Sequence, residues 1–348
     1  MICIAWGGMP AYAACAIAKF VSVTTEPVCL IGTPSDVPRT CTESIGGEVI
    51  HWVQDEDSRS IRDVLGEVPR VLVVSGWFIP SFNRFVVETK EAGGKVIVLL
   101  DHRWKFSVRV LLWGLYVRLT QTRRFDGFMV PGKSGVRLLR YAGVRRQKIA
   151  QGLYTADPTV FYDGLALEQR EKRIIFVGRF DTRKNILPFV EVFLDFNINH
   201  PDWFLDCYGC GDMKEQLLEV IEHKAGGNVH VHDFAQAGEL AGLYRRSRVM
   251  VLPSLEDHWG VVVHEAALCG CALLLSQEVG AVEDLCTPMN VRVFKPASRA
   301  GMMSALEDME RWDEDRWRAA HEESLRLSQT ISPTVFASNL TTLIEGLS

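Results

Sequence analysis

The chain has 348 residues, 47% hydrophobic and 23% charged, which excludes a mostly disordered polypeptide and leaves material for two hydrophobic cores. A formal net charge of −5 excludes a general nucleic-acid binder, whose affinity would rest on Lys and Arg at phosphates. The charge is uneven: residues 1–165 carry 20 Lys and Arg against 15 Asp and Glu, and the remainder is net −10, so two units with different partners are expected.

In chain order, short apolar runs predict strands at 2–5, 28–31, 71–74 and 96–100, with helical patterns at 10–20, 81–92, 104–121 and 133–142. A polar stretch at 163–173 breaks the pattern. Strands are then predicted at 174–177, 204–208, 229–232, 249–252 and 272–276, and helices at 185–198, 212–224, 238–246, 260–269 and 300–327, with a last one from Pro333 to Leu347. Strands apolar on both faces that alternate with helices require parallel sheets covered on both sides. The expected class is α/β: two Rossmann-like doubly wound domains, 1–163 and 174–330, facing across a cleft, with ligands at the carboxyl ends of the strands.

No run of about 20 apolar residues is present, the candidate at 104–119 being broken by Lys105, Arg109 and Arg118. The uncharged first 18 residues lack a basic n-region and contain Gly7-Gly8 and Pro10, so no signal peptide is expected. Nine scattered cysteines, an odd number, favour reduced thiols and a cytoplasmic protein. Cys207-x-x-Cys210 and Cys269-x-Cys271 do not make a zinc spacing and read as small buried hydrophobes. Asp55-Glu56-Asp57 follows no buried strand and reads as a solvated loop, so no metal site is expected.

Two stretches carry chemistry. In 174–188 a buried strand runs into Gly178-Arg179, a loop holds Arg183-Lys184-Asn185, and a helix opens with Pro188 in its first turn. Arg179 and Lys184 at that junction can grip a diphosphate and stabilise its charge as it leaves, or can be solvated surface cations. In 251–270 a strand ends at Pro253-Ser254, an acidic-aromatic loop follows, and a helix opens at Gly260. Asp257 and Glu265 can both face an anionic ligand over that helix N-terminus; alternatively Asp257 caps the helix and Glu265 is solvated. In the first half, Trp6-Gly7-Gly8-Met9-Pro10 joins strand to helix, either for close approach to a ligand or as a plain tight turn. Asp101-His102-Arg103-Trp104 follows a buried strand at the ligand edge, with His102 a candidate site residue or an ordinary loop histidine.

The ordered set Gly178-Arg179, Lys184-Asn185, Gly209-Cys210-Gly211-Asp212, the Leu-x-x-Leu-Tyr of 240–244, Pro253-Ser254, Asp257 with Glu265, and Gly280-Ala281-Val282-Glu283-Asp284-Leu285 resembles the retaining GT-B glycosyltransferases of the group 1 (family 4) type. The resemblance implies a metal-independent hexosyltransferase with no cofactor and a nucleotide diphosphate sugar as co-substrate. Arg179 and Lys184 would bind the diphosphate, Glu265 the ribose and Asp257 the sugar hydroxyls; Gly178, Gly209 and Gly211 would also bind the donor, with base contacts largely from backbone near Gly209–Gly211 and Phe234. The backbone at His258, Trp259, Gly260 and Val261 would line the pocket, and Gly7, Gly8 and His102 would contribute from the first domain. The family's usual first acid is Glu; Asp257 is one methylene shorter. In this fold a last helix, about 332–348, packs back on the first domain. FDGFMVPG at 125–132 and GLYTAD at 152–157 match a branch of the family.

The implied acceptor is a glycan or a lipid-linked hydroxyl, in polysaccharide or glycolipid synthesis. A nucleotide-sugar epimerase and a non-catalytic nucleotide-sugar-binding scaffold remain alternatives. Residues 103–124 hold Arg103, Lys105, Arg109, Arg118, Arg123 and Arg124 and no acid, interleaved with Trp104, Phe106 and 110–117. They read either as a core helix or as peripheral contact with the cytoplasmic face of an anionic membrane, the ends facing lipid more than the middle.

Overall fold

The computed structural model describes residues 1–34, 44–105, 108–224 and 227–347. The chain forms two compact units, one of Met1–Thr155 with Ile331–Ser348 and the other of Ala156–Thr330. The division therefore falls before the polar stretch expected to be a linker. The cause is burial within the second unit. Phe161 packs edge-on to Tyr244, and the buried Arg170 guanidinium donates to Cys269 O (2.7 Å) and Asp163 Oδ1 (2.9 Å). The Ala156 N–H donates to His264 Nδ1 (3.0 Å), whose Nε2 lies 3.0 Å from Ser328 O.

The first unit holds strands β1 (Ile2–Gly7), β2 (Val28–Thr33), β3 (Ser44–Ile45), β4 (Glu48–Trp52), β5 (Val71–Val74), β6 (Lys95–Leu99), β7 (Gly127–Val130) and β8 (Ile149–Gln151). Their order is β3-β4-β2-β1-β5-β6-β7-β8, parallel except for the β3–β4 pair. Alternate residues fill two cores. Ile4, Val73, Ile97 and Met129 pack with Phe20 and with Phe336 and Leu340 of the last helix, Pro333–Glu345. Cys3, Leu72, Val98 and Phe128 pack with Phe82 and Phe85 of the helix Pro80–Glu91. The last helix opens on Ser332, which accepts from Val335 N, and Asn339 donates to Gln151 O.

The second unit holds β9 (Glu171–Val177), β10 (Phe204–Tyr208), β11 (Val229–His232), β12 (Ser247–Leu252), β13 (Ala272–Ser276) and β14 (Val291–Phe294), in the order β11-β10-β9-β12-β13-β14, all parallel. In each sheet the winding reverses once, between β1 and β5 and between β9 and β12. The carboxyl ends of those strands are where such sheets bind ligands.

Two expected helices are divided. The run 300–327 is two helices, Arg299–Glu310 and Glu314–Ser328, because Asp313 caps the second by accepting from Arg316 N. The pattern at 104–121 is an α-helix at Val108–Tyr116 followed by a π-helical turn at Val117–Gln121 and a final turn at Thr122–Arg124. Phe106 and Ser107 lie outside the described residues. No helix among the described residues is long and apolar enough to cross a membrane.

Candidate active site

In the second unit the site is built on backbone contacts that only glycine permits. After β9, Gly178 N donates to Tyr208 O (3.0 Å) and Phe180 N to Cys210 O (2.8 Å). A Cβ on Gly209 would stand 1.8 Å from Gly178 O, and one on Gly211 would stand 2.4 Å from Phe180 O. The glycine turn after β10 thus lies directly against the loop after β9.

That loop then turns tightly. Asp181 accepts the Lys184 N–H on its carboxylate (2.9 Å) and its carbonyl (3.2 Å). Asn185 follows at φ +56, a left-handed position that Asn tolerates better than most residues. Its buried carboxamide donates to Pro253 O (3.2 Å) and Pro296 O (2.9 Å), and Leu255 N donates to Arg183 O (2.8 Å). The loops after β9 and β12 are thereby fastened together. The acidic loop is fastened in turn to the loop after β13. Asp257 N donates to Glu278 O and Gly280 N to Asp257 O, both at 3.0 Å, and a Cβ on Gly280 would stand 2.0 Å from His258 O.

This framework brings Lys184 Nζ to 2.6 Å from Asp257 Oδ2, with the two side chains only 14% and 11% exposed. Asp257 Oδ1 accepts from Trp259 N at 3.3 Å. Asp257 does not cap the following helix, Val261–Leu268: its cap is Gly260 at φ +84, with no side-chain hydrogen bond and no acid in the first turn. An ammonium–carboxylate pair therefore stands beside a helix N-terminus whose backbone favours anions. Arg179 is placed differently. It is 66% exposed, with Nε 3.5 Å from Asp181 Oδ2.

Glu265 is not a solvated helix residue. Its carboxylate accepts the hydroxyl of the fully buried Tyr244 at 3.3 Å. Burial pushes its carboxyl up to about 7, while the Tyr244 hydrogen bond pulls the other way. Tyr244, Asp181 and the bridging role of Asn185 were not singled out from the sequence; the Tyr of the Leu-x-x-Leu-Tyr run and the Asn beside Lys184 were the available signals. Trp259 is buried, and its indole Nε1 has no hydrogen-bond partner among the described residues. Cys207, Cys269 and Cys271 are buried, and burial holds their thiols well above the usual range, but Cys210, expected to be buried with them, is exposed in the glycine turn.

In the first unit, Gly7 N donates to Ser75 Oγ (2.9 Å) across the β1/β5 reversal, and Gly8 N donates to Thr33 O (3.2 Å). Gly8 and the buried Met9 take φ of +71 and +41. His102 Nδ1 lies 3.5 Å from Asp101 Oδ1, and its ring stacks on Trp113 at 5.1 Å and on Phe78 at 6.4 Å. The strand end here carries rings and backbone together with Asp101, which also accepts from the Tyr154 hydroxyl at 3.2 Å.

Residues 163–321 match the family model of the glycosyl transferases group 1. An uncharacterised glycosyltransferase of Methanocaldococcus jannaschii is 26% identical over 148 residues, 41% of this chain and 37% of the relative. D-inositol 3-phosphate glycosyltransferase of Paenarthrobacter aurescens is 28% identical over 172 residues, 47% and 42% of the two chains. The matches thus span about two fifths of those relatives' lengths. The structure of Anabaena HepE in complex with UDP and glucose superimposes with a TM-score of 0.72 at 11% identity, covering 97% of this chain and 98% of that one. The likeness carries the fold.

Proposed function

We propose that this chain, whose residues 163–321 belong to the glycosyl transferases group 1 and which has the GT-B fold, is a retaining hexosyltransferase acting on a nucleotide diphosphate sugar. The acceptor is a hydroxyl of a glycan or lipid-linked molecule, as in polysaccharide or glycolipid synthesis. The observation that carries the reading is the Lys184–Asp257 pair, held at 2.6 Å at the β9/β12 reversal by three loops.

The sugar C1–O bond to the β-phosphate breaks, and the electron pair leaves with the diphosphate. The acceptor oxygen attacks C1 from the same face through an oxocarbenium-like state. Its proton passes to an oxygen of the departing diphosphate, so no protein base is required. Lys184 and the exposed Arg179 offset the charge that develops on the leaving group, and the reaction then needs no divalent metal. Asp257 keeps Lys184 in place and offers its carboxylate to the sugar hydroxyls. Gly178, Gly209, Gly211 and the backbone of His258, Trp259, Gly260 and Val261 cradle the donor, and Glu265 takes the ribose. Gly7, Gly8 and His102 are the candidate site residues of the first unit.

The experiment is nucleotide release from a panel of UDP-, GDP- and ADP-sugars, with and without EDTA. Slow release that EDTA leaves unchanged and that Lys184→Ala abolishes supports the reading. Interconversion of donors would make the protein an epimerase, and silence with every donor a binding scaffold.

A further inference from the structure

The segment 103–124 left two readings open, a core helix or a surface that meets lipid. In the structure the helix Val108–Tyr116 with its π-helical extension is two-faced. Gly114, Val117 and Gln121 are buried, and Trp113 stacks on His102 and Trp77. A Cβ on Gly114 would stand 2.6 Å from the ring of Tyr141, so that glycine seats the helix against the next one, Lys133–Tyr141.

The opposite face carries Val108, Leu112, Leu115 and Leu119, exposed by 71%, 63%, 51% and 62%, with the exposed Tyr116 beside them. Their spacing of i, i+4, i+7 and i+11 makes one outward stripe. The middle of the segment therefore has a buried face and an exposed apolar one, where the ends were expected to face outward more than the middle. Single exposed leucines are ordinary; a continuous stripe of them marks an interaction surface.

Charge identifies what the stripe fits. Residues 102–156 contain 12 Lys and Arg and one acid, Asp126. Asp126 is occupied by Lys90, at 2.9 Å. Arg118 and Arg123 are exposed beside the stripe, and the abutting helix exposes Lys133, Arg137 and Arg140 at i, i+4 and i+7. Arg124 turns inward, donating to Asn83 Oδ1 at 2.6 Å, and does not belong to this surface. An apolar stripe flanked by cations, in a segment whose one acid is already paired, complements a surface with anionic headgroups over an apolar interior.

We infer that the first unit docks on an anionic lipid surface, with Leu112, Leu115 and Leu119 entering the headgroup boundary and Arg118, Arg123 and Arg140 meeting the headgroups. The inference rests on this face alone and stands whether or not the chain transfers sugar.

The test is co-sedimentation of the full chain with vesicles of phosphatidylcholine alone and of phosphatidylcholine with 30% phosphatidylglycerol, at low and high salt. Binding is expected only to the anionic vesicles and falls as salt rises. Arg118→Glu/Arg123→Glu lowers it at least about twentyfold, at roughly fivefold per cation lost, and Leu112→Gln/Leu119→Gln lowers it at least about tenfold. All four positions are exposed, and unchanged thermal melting confirms that the variants fold. Equal binding to both vesicle types, no binding to anionic vesicles, or wild-type binding by either variant overturns the inference. So does concentration-dependent self-association that the same substitutions abolish while vesicle binding is absent. That result would assign the face to a second copy, its acidic half against this basic one.

Discussion

Both sheets wind outward from a first strand and place glycine where that strand ends, Gly7-Gly8 after β1 and Gly178 after β9. The glycines do different things. In the second unit the tight packing is backbone on backbone, at Gly209 against the Gly178 carbonyl and at Gly280 against the His258 carbonyl, in the framework of loops where Lys184 and Asp257 touch. Around Gly7 the nearest neighbours are side chains, Ile79 Cδ1, Ser75 Oγ and Thr33 Oγ1, and rings stack only farther along the sheet edge, at His102. Rigid backbone with charged side chains suits a charged ligand held in fixed geometry. Rings and tolerant side chains suit a surface whose contacts can vary.

The largest effect separates the two glycine turns directly. Gly209→Ala places a methyl 1.8 Å from a carbonyl oxygen at a φ of +155, and nothing flexible can yield. It should cost more than about 3 kcal/mol in urea unfolding. Gly7→Ala meets only the end of the Ile79 side chain at 2.9 Å and should cost about 1 kcal/mol. Equal costs would dissolve the comparison.

Next come the charges. Lys184→Ala should lower kcat by roughly 10²–10³, the scale for one preorganised electrostatic group. Arg179→Ala should lose about tenfold, since its exposed guanidinium is screened by water. His102→Ala, in the ring-lined edge of the first unit, should lose less than about tenfold. A larger loss at His102 than at Lys184 would move the chemistry to the other unit.

The smallest effect is a pH dependence. Because the folded-state pKa of Glu265 is raised to about 7, its contribution to stability is full below the ordinary glutamate range and is lost as pH rises through about 7. Glu265→Gln should therefore stabilise the ligand-free protein at pH 8 by on the order of 2 kcal/mol, while weakening donor binding. Melting curves at pH 5 and 8 check the first part and donor KM the second. A substitution that lowers Tm at pH 8 would contradict the burial of that carboxylate.

Much of this was legible in the sequence, for physical reasons that stop at definite places. β9, β10, β12 and β13 announce themselves because parallel strands are apolar on both faces. β8 is three residues long and β7 begins at Gly127, too little signal for periodicity. The helices after β14 read as one because Asp313, whose capping carboxylate divides them, looks like any surface acid. Lys184 and Asp257 were both candidates, but their 2.6 Å contact spans 73 residues and comes from backbone packing at Gly209 and Gly280. The tie between Glu265 and Tyr244 was hidden for the same reason. The outward stripe of Leu112, Leu115 and Leu119 was hidden too, because an all-apolar helix does not reveal which face its neighbours leave uncovered.

The central claim is that Lys184, held by Asp257, receives the leaving diphosphate. Calorimetric titration of wild type and Lys184→Ala tests it most directly, using the nucleoside diphosphate of whichever donor is turned over and the matching free nucleoside. The account predicts that the substitution weakens nucleoside diphosphate binding at least about tenfold and leaves nucleoside binding unchanged. Equal diphosphate affinity in the two proteins would show that the Lys184–Asp257 pair only fastens loops.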